Sequence, residues 1–136
     1  MTKSVEVNDQ GWTRVCPLGD IVPYTGVCCL VRREQVAVFR YGEGEEVYAL
    51  SNFDPFSRAN VLSRGIVGDR AGRPKVASPI FKQNFALDTG ECFDDPAVRL
   101  LTYEVRVLNE NVEVREQVTG VLRPGNGELV SDVRTA

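Results

Sequence analysis

The sequence predicts an all-β fold, an antiparallel sandwich or barrel with a loop-rich insertion. Three observations predict it. Short apolar runs recur along the chain, with Gly-rich or charged stretches between them. Residues 101–107, Leu-Thr-Tyr-Glu-Val-Arg-Val, alternate strictly between apolar and polar, the period of a half-buried strand. Between residues 51 and 91 the patterning gives way to two loops, each built on an X-Pro step. The chain carries no strongly amphipathic helical stretch and no internal repeat.

Residues 12–16, Trp-Thr-Arg-Val-Cys, alternate large and polar side chains and predict the first strand. Pro17-Leu18-Gly19-Asp20 is a turn. Residues 26–31 and 36–39 are apolar runs, and Arg32-Arg33-Glu34-Gln35 between them reads as a hairpin loop. Gly42-Glu43-Gly44-Glu45 is a second turn, leading to a strand over 46–50. Residues 64–74 mix glycines with charges, and their length points to an irregular connection rather than a simple hairpin. Residues 85–87 lead into Asp88-Thr89-Gly90-Glu91, a turn whose glycine accepts positive φ. Asp94-Asp95-Pro96 is another turn. In 101–107, Leu101, Tyr103, Val105 and Val107 face the core, with Thr102, Glu104 and Arg106 in water. Leu108-Asn109-Glu110-Asn111 turns the chain, and 112–114 returns beside it. After Gln117 the apolar pattern fades. One domain is expected over 1–118, with 119–136 a loose C-terminal tail that is frayed or orders on a partner.

A chain of 136 residues supports one domain with one core. Hydrophobic content of 43% and charged content of 26% are those of an ordinary soluble domain. No run approaches the roughly 18 apolar residues of a membrane helix. Residues 1–11, with Lys3, Glu6 and Asp9, lack the apolar centre of a signal peptide, so a cytoplasmic location is expected. Histidine is absent from the composition. That excludes His-based acid–base catalysis, Ser-His-Asp and Cys-His nucleophiles, and any imidazole metal site. The four cysteines, Cys16, Cys28, Cys29 and Cys92, include no Cys-x-x-Cys pair. They read as free thiols packed as small apolar side chains.

The two loops, residues 51–65 and 76–91, have a common shape. A short β-prone run meets X-Pro, then an aromatic, then polar residues: Asp54-Pro55-Phe56 in one, Ser78-Pro79-Ile80-Phe81 in the other. The second runs on through Phe85, Leu87, Thr89, Gly90 and Glu91. This frame resembles the Rieske iron–sulfur domain. That domain holds a two-iron cluster on Cys-x-His and Cys-x-x-His loops, the second followed by Phe-x-Leu-x-Thr-Gly-Glu. Within that group, the wording Asp-Pro-Phe-Ser, Val-Leu-Ser-Arg-Gly-Ile-Val-Gly-Asp and Val-Ala-Ser-Pro is similar to the small subunits of cytoplasmic NADH-dependent nitrite reductases.

The resemblance implies a Rieske-like antiparallel sandwich with an inserted, loop-rich, cluster-type subdomain. It implies a small, non-catalytic subunit of an oxidoreductase of nitrate assimilation, reducing nitrite to ammonium. The chain would support or regulate a large catalytic subunit that carries flavin, iron–sulfur cluster and sirohaem, and would hold no cofactor or catalytic residue itself. A stand-alone binding or regulatory module on the same scaffold is the alternative, because fold alone does not specify function.

All four ligand positions depart from the Rieske pattern. Asp54 and Ser78 stand for the cysteines, Phe56 and Phe81 for the histidines, so neither thiolate nor imidazole is offered to iron. The residues admit two other uses. In one, Phe56 and Phe81 fill the space between the loops, each burial worth roughly 1.5–3 kcal/mol, while Asp54 and Ser78 cap loop N–H groups. In the other, the site takes a hard cation or small molecule, for which Asp54 alone supplies too few oxygens.

Charge is uneven. Between Arg58 and Lys82 lie Arg58, Arg64, Arg70, Arg73, Lys75 and Lys82 against the single anion Asp69, so this segment is +5 in a chain of −3. These six cations are the candidates for binding an acidic partner, with opposite charge speeding and orienting the encounter. Nucleic acid is not expected, because the chain as a whole is acidic and has no aromatic-lined basic stripe.

Overall fold

The structure, a computed structural model, describes residues 10–116 together with two short strands at 121–122 and 129–130. Numbered along the chain, the strands are β1 (Thr13–Pro17), β2 (Thr25–Val31), β3 (Glu34–Arg40), β4 (Val47–Ser51), β5 (Phe53–Asp54), β6 (Ala59–Asn60), β7 (Ile66–Arg70), β8 (Arg73–Ala77), β9 (Asn84–Ala86), β10 (Thr102–Leu108), β11 (Asn111–Glu116), β12 (Val121–Leu122) and β13 (Leu129–Val130). Six of them form one antiparallel sheet in the order β1-β11-β10-β4-β3-β2, which curls until its edge strands β1 and β2 meet. The result is close to a barrel. The β5–β6 pair and the β7-β8-β9 sheet are inserted between β4 and β10. The fold is therefore all-β and Rieske-like, with the insertion where the two X-Pro loops lie.

Three hairpins close on two residues with left-handed backbone. These are Arg32–Arg33 (φ 49° and 71°), Ala71–Gly72 (52° and 86°) and Asn109–Glu110 (51° and 67°). Paired left-handed residues match the right-handed twist of the strands they join. The loop expected over 32–35 thus contracts to two residues, and Glu34 and Gln35 join β3. The irregular connection expected over 64–74 is corrected: most of it is the regular β7–β8 hairpin. Its turn is short because Asp69 Oδ2 accepts the Gly72 N–H at 3.1 Å and stabilises the left-handed pair.

Two cores share one wall. The barrel interior holds Val15, Ile21, Val31, Val36, Val38, Ala49, Leu101, Tyr103, Val112 and Val114, with Val105 and Val107 packed against them. The second core lies outside the barrel, under the insertion. It joins Ala37, Phe39 and Leu50 to Leu62, Val76, Phe85, Leu87, Cys92 and Leu100. Strand β3 explains its own lack of alternation: Val36 and Val38 point into the barrel, Ala37 and Phe39 into the second core. A strand buried on both faces has no polar face to display. Across β10 and β11 the alternation is as expected, except that the outer face is half-buried. There Glu104 pairs with Arg115 and Glu113 with Arg106, and the two guanidinium groups lie 4.4 and 4.1 Å from the Trp12 ring.

Of the tail expected over 119–136, only β12 and β13 are described, and they pair with each other; the remainder lies outside the described residues. No helix among the described residues is long and apolar enough to cross a membrane.

Candidate functional site

Strand β4 feeds the first loop and β8 the second. Asn52, buried just after β4, anchors the first loop at both ends. Its N–H donates to Gln35 O (3.0 Å) and its Nδ2 to Gln35 Oε1 (3.1 Å). Its Oδ1 and main-chain O accept the N–H groups of Ser63 (2.6 Å) and Leu62 (3.1 Å). Sequence reasoning passed over Asn52, although an Asn directly after a strand is a turn-forming signal. Gly65 closes the loop by close approach. A Cβ there would lie 2.4 Å from Ala77 O and 2.6 Å from Val76 Cγ2, so only glycine lets this backbone meet the strand that opens the second loop.

The two loops then make the same turn. Asp54 O accepts the Arg58 N–H at 2.7 Å, and Ser78 O accepts the Lys82 N–H at 3.1 Å. Each turn is closed by a residue in the left-handed region, Arg58 at φ 61° and Lys82 at φ 67°. Inside each turn the first side chain caps a main-chain donor, Asp54 Oδ1 taking Phe56 N–H (2.9 Å) and Ser78 Oγ taking Ile80 N–H (3.4 Å). This is the capping expected from the residue types.

The tie between the loops is polar. Asp54 Oδ2 accepts the hydroxyl of Ser78 across the loops at 2.5 Å and that of Ser57 at 2.9 Å. Asp54 and Ser78 are both fully buried. A buried carboxylate demands donors, and here it has three. The positions corresponding to the two Rieske cysteines therefore hold the loops together by a direct hydrogen bond.

The two phenylalanines do not share a role. Phe56 is half-buried and packs against Phe85, ring centroids 6.1 Å apart, at the margin of the second core. Phe81 is 57% exposed, which corrects the expectation that it fills the space between the loops. With Asp54 and Ser78 in contact that space is closed, and the Ser78–Lys82 turn carries Phe81 on its outer side beside the exposed Ile80.

These residues do not fit a two-iron cluster. Such a cluster needs thiolate and imidazole ligands, whereas the four positions offer one carboxylate and one hydroxyl, bonded to each other, and two hydrocarbon rings. The Cys92 thiol is buried in the second core, and that burial pushes its pKa up. No group of three or more His, Cys, Asp or Glu side chains gathers among the described residues. All four cysteines are free thiols, Cys28 alone among them exposed.

The six candidate cations do not form one cluster. Arg58 and Lys82 close the two loop turns and are exposed. Arg64 ends the 3-10 turn Leu62–Arg64, just before Gly65. Arg70 and Arg73 flank the β7–β8 turn, at the far end of that hairpin from Ser78, each 5.2 Å from the Phe93 ring. Arg73 is also paired with Asp88 (3.2 Å) and Glu91 (3.5 Å). Lys75 donates to Asn84 Oδ1 at 2.6 Å.

Fold and loops together define a Rieske-like domain in which a polar cross-link stands at the cluster position. The model of the Rieske-like [2Fe-2S] domain family matches residues 11–115. The nitrite reductase (NADH) small subunit of Escherichia coli (strain K12) is 44% identical over 104 residues, 76% of this chain and 96% of that one. The solution structure of the nitrite reductase [NAD(P)H] small subunit from Erwinia carotovora superposes with a TM-score of 0.68 at 44% identity, covering 92% of this chain and 96% of that one. The chain belongs to the nitrite reductase small-subunit family within the Rieske-like domains. A further relative differs in kind. The nitrite reductase [NAD(P)H] large subunit of Klebsiella oxytoca contains a stretch 40% identical over 106 residues, 78% of this chain but 11% of that protein.

Proposed function

We propose that this chain is the small, non-catalytic subunit of a cytoplasmic NADH-dependent nitrite reductase, which converts nitrite to ammonium. Flavin, iron–sulfur cluster and sirohaem belong to the large subunit, and this chain binds and supports that subunit. The observation that carries the reading is the Klebsiella oxytoca relative, in which a domain like this one is part of a large-subunit chain. A domain joined covalently to a partner in one protein and separate in another is the signature of two bodies that work in contact, since linkage replaces affinity with a high effective concentration. The site is consistent with a role free of electron transfer. Its buried carboxylate is consumed by three internal donors, and no histidine is available to move a proton.

Gentle purification of the tagged chain from its native cells tests the proposal. A large subunit with sirohaem absorption is expected to co-elute. Large subunit depleted of this chain should lose NADH-dependent ammonium formation from nitrite, and adding the pure chain should restore it. Elution of the chain alone, with no loss on depletion, would overturn the assignment.

A further inference from the structure

Seven large hydrophobic side chains are exposed among the described residues, and three of them lie in the second loop or on the strand paired with its start. Ile80 (45% exposed) and Phe81 (57%) form the outer side of the second loop turn. Ile66 (66%) lies in register opposite Ala77, the residue before Ser78. Grouped exposed hydrophobics at the apex of a turn contribute nothing to the core and mark contact surfaces.

The two turns bring cations to the same place. Arg58 and Lys82 close equivalent turns whose first residues, Asp54 and Ser78, are hydrogen-bonded to each other. Neither cation has an acidic partner among the described residues; Lys82 Nζ reaches only the Pro79 carbonyl, at 3.3 Å. Both occupy left-handed backbone, which glycine adopts freely and other residues adopt at a cost. Folding gains nothing from an unpaired cation at such a position, where glycine would close the same turn at less cost.

We infer that this tip, Ile80 and Phe81 flanked by Arg58 and Lys82, docks the domain onto the large nitrite reductase subunit, at an apolar depression with an acidic rim. The inference rests on the small-subunit reading above and names the surface that serves it. The partner's chemistry follows from charge: two unpaired cations beside a phenylalanine are matched by carboxylates around a hydrophobic recess. A second copy of this chain is the poorer occupant, because a two-fold contact through the tip would set Arg58 and Lys82 against their own equivalents.

The test uses the full chain and purified large subunit, with affinity and association rate measured at two salt concentrations. Phe81→Ser should weaken binding about tenfold or more, as loss of a central aromatic anchor does. Arg58→Gly with Lys82→Gly should slow association and flatten its salt dependence, while the melting temperature of the free domain stays level or rises. That combination separates a docking role from a structural one. Leu108→Ser, an equally plain surface change beside the β10–β11 turn, should leave binding unchanged. Tip variants that bind like the unsubstituted chain, or a Leu108 variant that weakens binding as much as Phe81→Ser, would overturn the tip while leaving the small-subunit reading intact. Failure of the unsubstituted chain to bind the large subunit would overturn both.

Discussion

Asp54 shows how one residue can do the mechanical work of a cofactor. In a Rieske loop the equivalent position binds iron and so ties two loops through the cluster. Here a carboxylate ties the same loops by accepting hydroxyls from both. Hydrogen bonds to a charged group contribute about 1.5–3 kcal/mol each, and a buried group left unsatisfied costs about 1–3 kcal/mol. Asp54→Ala orphans the Ser57 and Ser78 hydroxyls and the Phe56 N–H together, so a loss of about 3 kcal/mol is expected in urea denaturation. Ser78→Ala should cost less, because Asp54 keeps two donors. A double-mutant cycle on the pair should show coupling of about 1 kcal/mol. The phenylalanines divide in the same experiment. Phe85→Ala empties the second core and should cost about 3–5 kcal/mol, while Phe81→Ala should stay within about 0.5 kcal/mol. Restoring the ligand types with Asp54→Cys, Phe56→His, Ser78→Cys and Phe81→His should not restore a cluster. The surrounding hydrogen bonds are laid out for a carboxylate and a hydroxyl in contact, and a metal site depends on such outer partners as much as on its ligands. Expression with iron and sulfide should give colourless protein without a Rieske electron paramagnetic resonance signal.

At the scale of elements, the insertion depends on close backbone approaches that no hydrophobic pattern signals. Gly65 is the clearest case, since any side chain there meets the Ala77 carbonyl. Gly65→Ala must push the first loop off β8 and should destabilise by about 1–3 kcal/mol, the range for overpacking. Hydrogen exchange should report the opening first at Leu62 and Gly65, whose N–H groups bond within this segment. Gly90 works alike at the end of the second loop. It has φ 80°, and a Cβ there would lie 2.3 Å from Leu100 O. The Thr-Gly-Glu motif is thus legible as a turn from its composition, and its steric reason becomes visible once Leu100 is in place.

For the whole molecule, the wall shared by β3 and β4 decides cooperativity. Phe39 and Leu50 belong to the second core, while Val36, Val38 and Ala49 on the same strands belong to the barrel. Neither core survives loss of that wall, so unfolding is expected as one transition. The single tryptophan, Trp12, reports the barrel's outer face, and far-ultraviolet circular dichroism reports all strands. Their denaturation midpoints should coincide; a barrel that melts apart from the insertion would separate them. Association with the large subunit is the other whole-molecule property. It should weaken as salt rises, because screening confines charge interactions to about 8 Å at physiological ionic strength.

Local pattern was enough to determine the all-β class, the β10–β11 hairpin and the place of the two fixed loops, from alternation for strands and X-Pro for loops. That Asp54, Phe56, Ser78 and Phe81 stand where iron ligands would be follows from the resemblance to the Rieske frame, and not from neighbouring residues alone. The double burial of β3 was half-legible, as an apolar run without its cause. Tertiary structure decided the rest. The β7–β8 hairpin escaped because its turn rests on a left-handed Ala-Gly pair held by Asp69, and its strands carry charges that blur alternation. Phe56 and Phe81 occupy equivalent ligand positions, yet one lies inward and the other outward. That outcome depends on how near the loops come, which is set by a hydrogen bond between residues 24 positions apart. The six cations read as one patch along the chain because strand direction is invisible there. The β7–β8 hairpin carries Arg70 and Arg73 away from the loops and leaves Arg58 and Lys82 at the tip, since a hairpin separates its turn from its ends by the full length of its strands.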